Sequence, residues 1–114
     1  MAVLGKKSYE VDNLVLFVDK LITEDRYPVK AGVDAKRGMV MKIASGKLEI
    51  ARSGDEPFTV LLQDAVAGAN DVSAEYVVQG VLLEEAINYG TATADEFRDK
   101  LRAVSIITRR EEMA

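Results

Sequence analysis

Apolar residues between positions 29 and 50 fall at every second place. Val40 lies on one phase, Met39, Met41 and Ile43 on the other, and Leu48 and Ile50 resume the alternation further on. A period of two is the signature of a strand, and Ser45-Gly46 stands between the two runs where a two-residue hairpin turn belongs. Gly32 and Gly38 bracket a short polar loop, residues 33–37, that turns the chain sharply into the first of these strands. This pattern predicts a tight antiparallel hairpin with flanking segments paired around it. None of its side chains suggests chemistry.

The pattern extends in both directions. Residues 13–19 are a nearly continuous apolar run rich in β-branched and aromatic residues, predicting a short strand buried on both faces. Leu21-Ile22 continues it and residues 23–26 break it; Tyr27 before Pro28 then predicts an edge segment. Residues 52–57 form a turn cluster expected to be the most exposed loop. Residues 58–62 predict a strand, residues 64–73 a polar loop, and residues 75–83 the longest strand, bent or bulged at Gly80.

Residues 84–89 predict one helical turn closed by Gly90. The one clear helix covers residues 94–103. Thr93 and Glu96 form a capping box, Asp95 places negative charge at the positive end, and Glu96 and Lys100 are spaced as an ion pair on the wet side. Phe97, Leu101 and Val104 recur at i, i+4 and i+7 as a stripe facing a sheet. Residues 105–108 predict a last strand and 109–114 a charged tail. Residues 1–12 are polar and read as a mobile arm, in which Tyr9 and Val11 alternate like one face of a strand that has nothing nearby to pair with. The expected fold is mainly β with one C-terminal helix (α+β), a small compact barrel- or sandwich-like domain over residues 13–108.

Composition narrows the function more than it names it. A chain of 114 residues, 48% hydrophobic and 30% charged, is one ordinary globular domain. No apolar run approaches 18 residues, and residues 1–4 are too short for a signal-peptide core, so neither membrane span nor secretion is expected. Cysteine and histidine are both absent, which removes thiolate chemistry, sulfur metal sites and the usual general base. A net charge of −4 argues against nucleic acid, because phosphate binding needs a basic face. Asp64, Asn70, Asp71 and Glu75 do not follow the spacing of a calcium loop. Glu84 and Glu85 are adjacent, so they do not flank one bond as a glycosidase pair must, and a solvated acidic turn is expected instead. An enzyme here would need a Ser-Lys, carboxylate or Tyr site, and the spacing suggests none. Catalytic residues, cofactors and metals are therefore not expected.

The order of the segments resembles the head decoration proteins of tailed bacteriophages, the lambda-type capsid-stabilising family. The resemblance spans about residues 13–108 and rests on Asn13-Leu14-Val15, then Pro28-Val29 with Ala31-Gly32, then Lys36-Arg37-Gly38-Met39-Val40. It continues through Gly46-Lys47-Leu48, residues 60–67 and Val78-Gln79-Gly80-Val81, and ends with residues 84–90 and the run Leu101-Arg102-Ala103-Val104-Ser105-Ile106. Residues 16–25 are longer and more apolar than the family's pattern, and Val60-Leu61-Leu62 stands where relatives often carry Gly-Ile-Leu. The resemblance implies a homotrimer that binds the major capsid protein on the outside of the expanded head, so that the protein belongs to the virion surface after synthesis in the bacterial cytoplasm. It also implies that the N-terminal arm engages the shell, which makes Lys7, Tyr9 and Val11 the candidate capsid-binding residues. The alternative is a carrier of the biotinyl or lipoyl kind, because residues 29–40 look like the turn of those barrels and Lys47 follows Ser45-Gly46 near a hairpin tip. The flanking signature of a modified lysine is missing, and the C-terminal helix has no place in that fold.

Overall fold

Alternation along three strands sorts their side chains between two separate cores. The computed structural model describes residues 14–110. Its elements are β1 (Ile22–Glu24), β2 (Asp34–Ala35), β3 (Val40–Ala44), β4 (Lys47–Ile50), β5 (Thr59–Val60), β6 (Ala65–Val66), β7 (Tyr76–Leu83), α1 (Ala94–Ala103) and β8 (Ile106–Arg109). The fold is mainly β with one α-helix near the C-terminal end. The strands form three small sheets, in the orders β1-β7-β8, β2-β6 and β4-β3-β5. Val40, Val60, Leu62 and Val77 enter one core with Leu14, Leu82, Phe97, Leu101 and Ile106. Their sequence neighbours Met41, Leu61 and Tyr76 enter the other with Val29, Ala35 and Leu48. At these positions both faces of the chain are thus dry, and each fully buried aliphatic side chain contributes about 1.5–3 kcal/mol of transfer free energy.

The hairpin forms as the alternation predicts. β3 and β4 pair with Ile43 opposite Leu48 and Ala44 opposite Lys47. Ser45 and Gly46 between them both have positive φ, 53° and 76°, as a type I′ turn requires. Gly38, at φ 92°, is pinned harder: a Cβ there would stand 2.9 Å from the Ala86 carbonyl oxygen. The loop between Gly32 and Gly38 is not wholly irregular, because Asp34–Ala35 pairs with Ala65–Val66 as β2 and β6. Val29, not Tyr27, does the bridging at the expected edge, joining Leu48 on one side and Val72 on the other.

The N-terminal apolar run departs from expectation. Leu14 and Val15 are buried and Val15 bridges Leu82, but a turn of 3-10 helix then follows at Val18–Lys20. Pairing with β7 resumes only at Ile22, opposite Gln79. The turn is extra chain inserted in one long antiparallel pairing, and it throws Phe17 and Val18 outward. The bulge in β7 lies at Val78-Gln79, where the register shifts between Ile22 and Thr23 and two consecutive residues are exposed. Gly80 beside it serves another purpose: a Cβ there would meet Leu21 Cδ1 at 3.0 Å, so its bareness lets Leu21 pack.

Thr93 caps α1 and Phe97 and Leu101 are its buried residues, as the stripe predicts. The helix leads through Val104 and Ser105 into β8, which runs parallel to β7 from Gly80↔Ile106 to Leu83↔Arg109. Arg109 therefore belongs to a strand, and the charged tail begins after it. Leu14 and Arg109 consequently flank β7 on opposite sides at the same end, since the Leu83 N–H donates to the Leu14 carbonyl.

Candidate interaction surface

The charged side chains that sequence reasoning singled out are mostly spent on holding the fold. Glu84 is the clearest correction, because it is buried rather than solvated. Arg98 grips it bidentately, with Nε and Nη2 each donating to a carboxylate oxygen at 2.9 Å, and the Thr108 hydroxyl adds a bond at 3.2 Å. The Arg98 hydrogen bonds hold the Glu84 carboxyl below its ordinary range, against the opposing pull of burial. Glu85 stays exposed. The two adjacent glutamates thus differ in burial, and the buried one ties α1 and β8 to the turn after β7. Nearby, the Tyr89 hydroxyl is buried without a hydrogen-bond partner, and burial pushes its pKa up.

Glu96 also does something other than expected. Its N–H donates to the Thr93 hydroxyl at 3.1 Å, which is half of a capping box. Its carboxylate does not turn back to Thr93; it accepts from the Gly54 N–H at 2.6 Å and the Ser53 hydroxyl at 2.9 Å. Those two bonds lower its pKa. Lys100 likewise passes over Glu96 to reach the Asp55 carbonyl and the Glu56 carboxylate. The loop over residues 52–57 is exposed at Arg52, Ser53, Gly54 and Glu56, as expected, and is moored to α1.

The acidic residues of the 64–73 loop do not converge. Asp64 accepts from the Arg37 N–H, while Asp71 accepts from the Ala31 N–H at 2.8 Å and pairs with Lys47 at 2.9 Å. The Lys47 hydrogen bond and the Ala31 N–H lower the Asp71 pKa. Among the described residues no group of three or more acidic side chains is placed to hold a metal ion. Lys47, the lysine that a carrier would modify, is the first residue of β4 and is engaged by Asp71.

Apart from Val66 on β6 and Ile43 on β3, the large exposed apolar side chains among the described residues gather along one edge. Phe17, Val18, Ile22 and Val78 are 40%, 54%, 50% and 38% exposed, and all lie on the 3-10 turn, on β1 or at the facing bulge of β7. β1 is an edge strand whose sole sheet neighbour among the described residues is β7. An edge that offers open backbone groups beside exposed aliphatic and aromatic side chains is a template for pairing with another chain. The expected capsid-binding residues Lys7, Tyr9 and Val11 lie outside the described residues. Sequence reasoning missed the edge because it assigned residues 13–19 to a buried strand. Beside the edge, a groove of about 430 Å³ opens on the sheet, lined by Lys20, Gln79, Val81, Arg102, Ser105 and Ile107. Set against known proteins, the chain matches no protein-family model and no curated sequence.

Proposed function

We propose that this protein is a structural subunit of a phage or prophage head, binding the outside of the expanded shell as a homotrimer and stabilising it. The observation that carries the reading is the apolar edge formed by Phe17, Val18, Ile22 and Val78, beside β1, whose sole sheet neighbour among the described residues is β7. A small domain that leaves such residues in water gains by covering them against copies of itself or against a shell protein. The resemblance to head decoration proteins supplies the kind of assembly. The committed state of Glu84, Glu96, Asp71 and Lys47 fits a protein whose polar groups serve architecture.

The test adds purified protein to expanded shells that lack a decoration subunit and measures occupancy by electron microscopy. Wild-type protein is expected to occupy local threefold positions. Phe17→Ser with Ile22→Ser and Val78→Thr is expected to lower occupancy or trimer formation while leaving the melting temperature nearly unchanged, because these side chains are already exposed. Deleting residues 2–11 is expected to cut occupancy sharply with folding intact, if the arm engages the shell as the resemblance implies. No density on shells from the wild-type protein, or a stable dimer at high concentration in sedimentation, would reject the reading.

A further inference from the structure

We propose that the groove beside this edge docks an extended, acidic segment of a protein partner. Its floor is apolar: Val81 and Ile107 stand opposite one another in the parallel β7–β8 ladder, both half-buried. Gln79 and Ser105 offer exposed polar side chains to a backbone lying across that floor. Lys20 and Arg102 complete the lining. Among the described residues neither makes an ion pair, unlike Lys30, Lys36, Lys42, Lys47, Arg98 and Lys100; Arg26, Arg52 and Arg109 make none either, but they lie outside the groove lining. On a chain of net charge −4, two uncommitted cations at one apolar groove are a local reversal of sign. Arg102 lies in the last turn of α1, where a positive charge complements the helix dipole. That interaction accounts for its charge but leaves its guanidinium fork unused.

The layout suits an extended chain better than a compact ligand. A small molecule is usually held in a cleft that covers most of its surface, and here Lys20, Gln79, Arg102 and Ser105 are all exposed. Lys20 leads into β1 and Arg102 leads through Ser105 into β8, so they approach β7 from opposite sides. Strands two places apart in a sheet are about 10 Å apart, and residues i and i+4 of an extended chain about 13 Å apart with their side chains on one face. A segment of the form acid-x-apolar-x-acid therefore sets its central side chain on Val81 and Ile107 and its acids toward Lys20 and Arg102. Exposed charge pairs are worth about 0.2–1 kcal/mol each, so a short segment binds weakly and loses affinity in salt.

The test titrates the full isotope-labelled chain with the capped pentapeptide Glu-Ser-Val-Ser-Glu and follows backbone amide shifts by NMR. Shifts are expected at Lys20, Gln79, Val81, Ser105 and Ile107, with a Kd on the order of 1 mM that weakens severalfold in about 0.5 M salt. The same peptide with Gln for both Glu is expected to weaken binding severalfold and so shrink the shifts at equal peptide concentration, and the variant Lys20→Glu with Arg102→Glu to shrink them further. Because both side chains are exposed, that variant should keep the wild-type spectrum elsewhere, and Lys20→Gln with Arg102→Gln provides a milder version. Absence of shifts in the groove, or shifts of equal size with the Gln peptide or the charge-reversed variant, would overturn the proposal. So would octanoate or anionic vesicles moving the same amides at lower concentration, which would assign the groove to lipid. The assay contains no shell, so its failure leaves the capsid reading standing, and failure to decorate shells leaves this one standing.

Discussion

Ser105 occupies the backbone position where helices most often place glycine. Its φ is 72°, and its N–H donates to the Arg102 carbonyl at 3.0 Å, closing the end of α1. A left-handed conformation costs a residue with a Cβ about 1–2 kcal/mol, part of which glycine returns as extra freedom when unfolded. Ser105→Gly is therefore expected to stabilise the protein by about 0.5–1 kcal/mol, read as a higher denaturant midpoint at unchanged slope. Glu84 predicts the opposite. Removing its charge leaves Arg98 without its main partner, and Glu84→Gln should cost about 1–3 kcal/mol, less than a fully buried pair because Arg98 is half-solvated. The sign with pH follows from the lowered pKa. Below the ordinary Glu value of 4.5 the unfolded chain takes up the proton first, so folding is favoured above that pH and the benefit is lost as pH falls through the lower folded-state value. Asp55, Asp71 and Glu96 are shifted the same way. Thermal melts from pH 7 down to pH 3 should show a falling midpoint, and the Glu84→Gln variant a shallower fall.

At the scale of elements, α1 is the part that stands on local signals. Leu101→Ala should cost about 2–5 kcal/mol through a cavity beneath the helix, while Thr93→Ala, which removes an exposed cap, should cost about 1 kcal/mol. An unchanged melting temperature for Leu101→Ala would contradict its place in the core. The bounds of α1 were legible because its cap and its stripe fall within one short window. The β3–β4 hairpin was legible for the same reason, since Ser45-Gly46 and the alternation lie together. β2 and β6 were not, because two residues carry no period and Asp34 finds Val66 only in the folded chain. The run at residues 14–18 is apolar throughout, so nothing within it marks where the chain turns; the turn is decided by pairing with β7. Glu84 looked wet for a related reason. Its partner Arg98 is on a helix that a local reading treats separately.

For the molecule as a whole, β3, β7 and the run Val60-Leu61-Leu62 give side chains to both cores, which ties the two cores to one another. Unfolding is expected to be a single transition, with circular dichroism and tyrosine fluorescence reporting coincident midpoints. Two separated transitions would mean that the cores are independent. The interaction surface was the least legible feature at this scale. Lys20 and Arg102 are far apart in sequence and are brought to one groove only because β1 and β8 both choose β7 as a neighbour.

That shared neighbour has a consequence for chain connectivity. Leu14 and Arg109 sit on either side of the Leu83 end of β7, about 10 Å apart across two strand spacings. A glycine–serine bridge of a few residues can span that gap, so the order in which the elements are threaded is not fixed by geometry. A circular permutant that joins Arg110 to Leu14 and opens new ends within the exposed stretch Gly68, Ala69 and Asn70 should fold to the same structure, with the same pattern of amide exchange protection across β7.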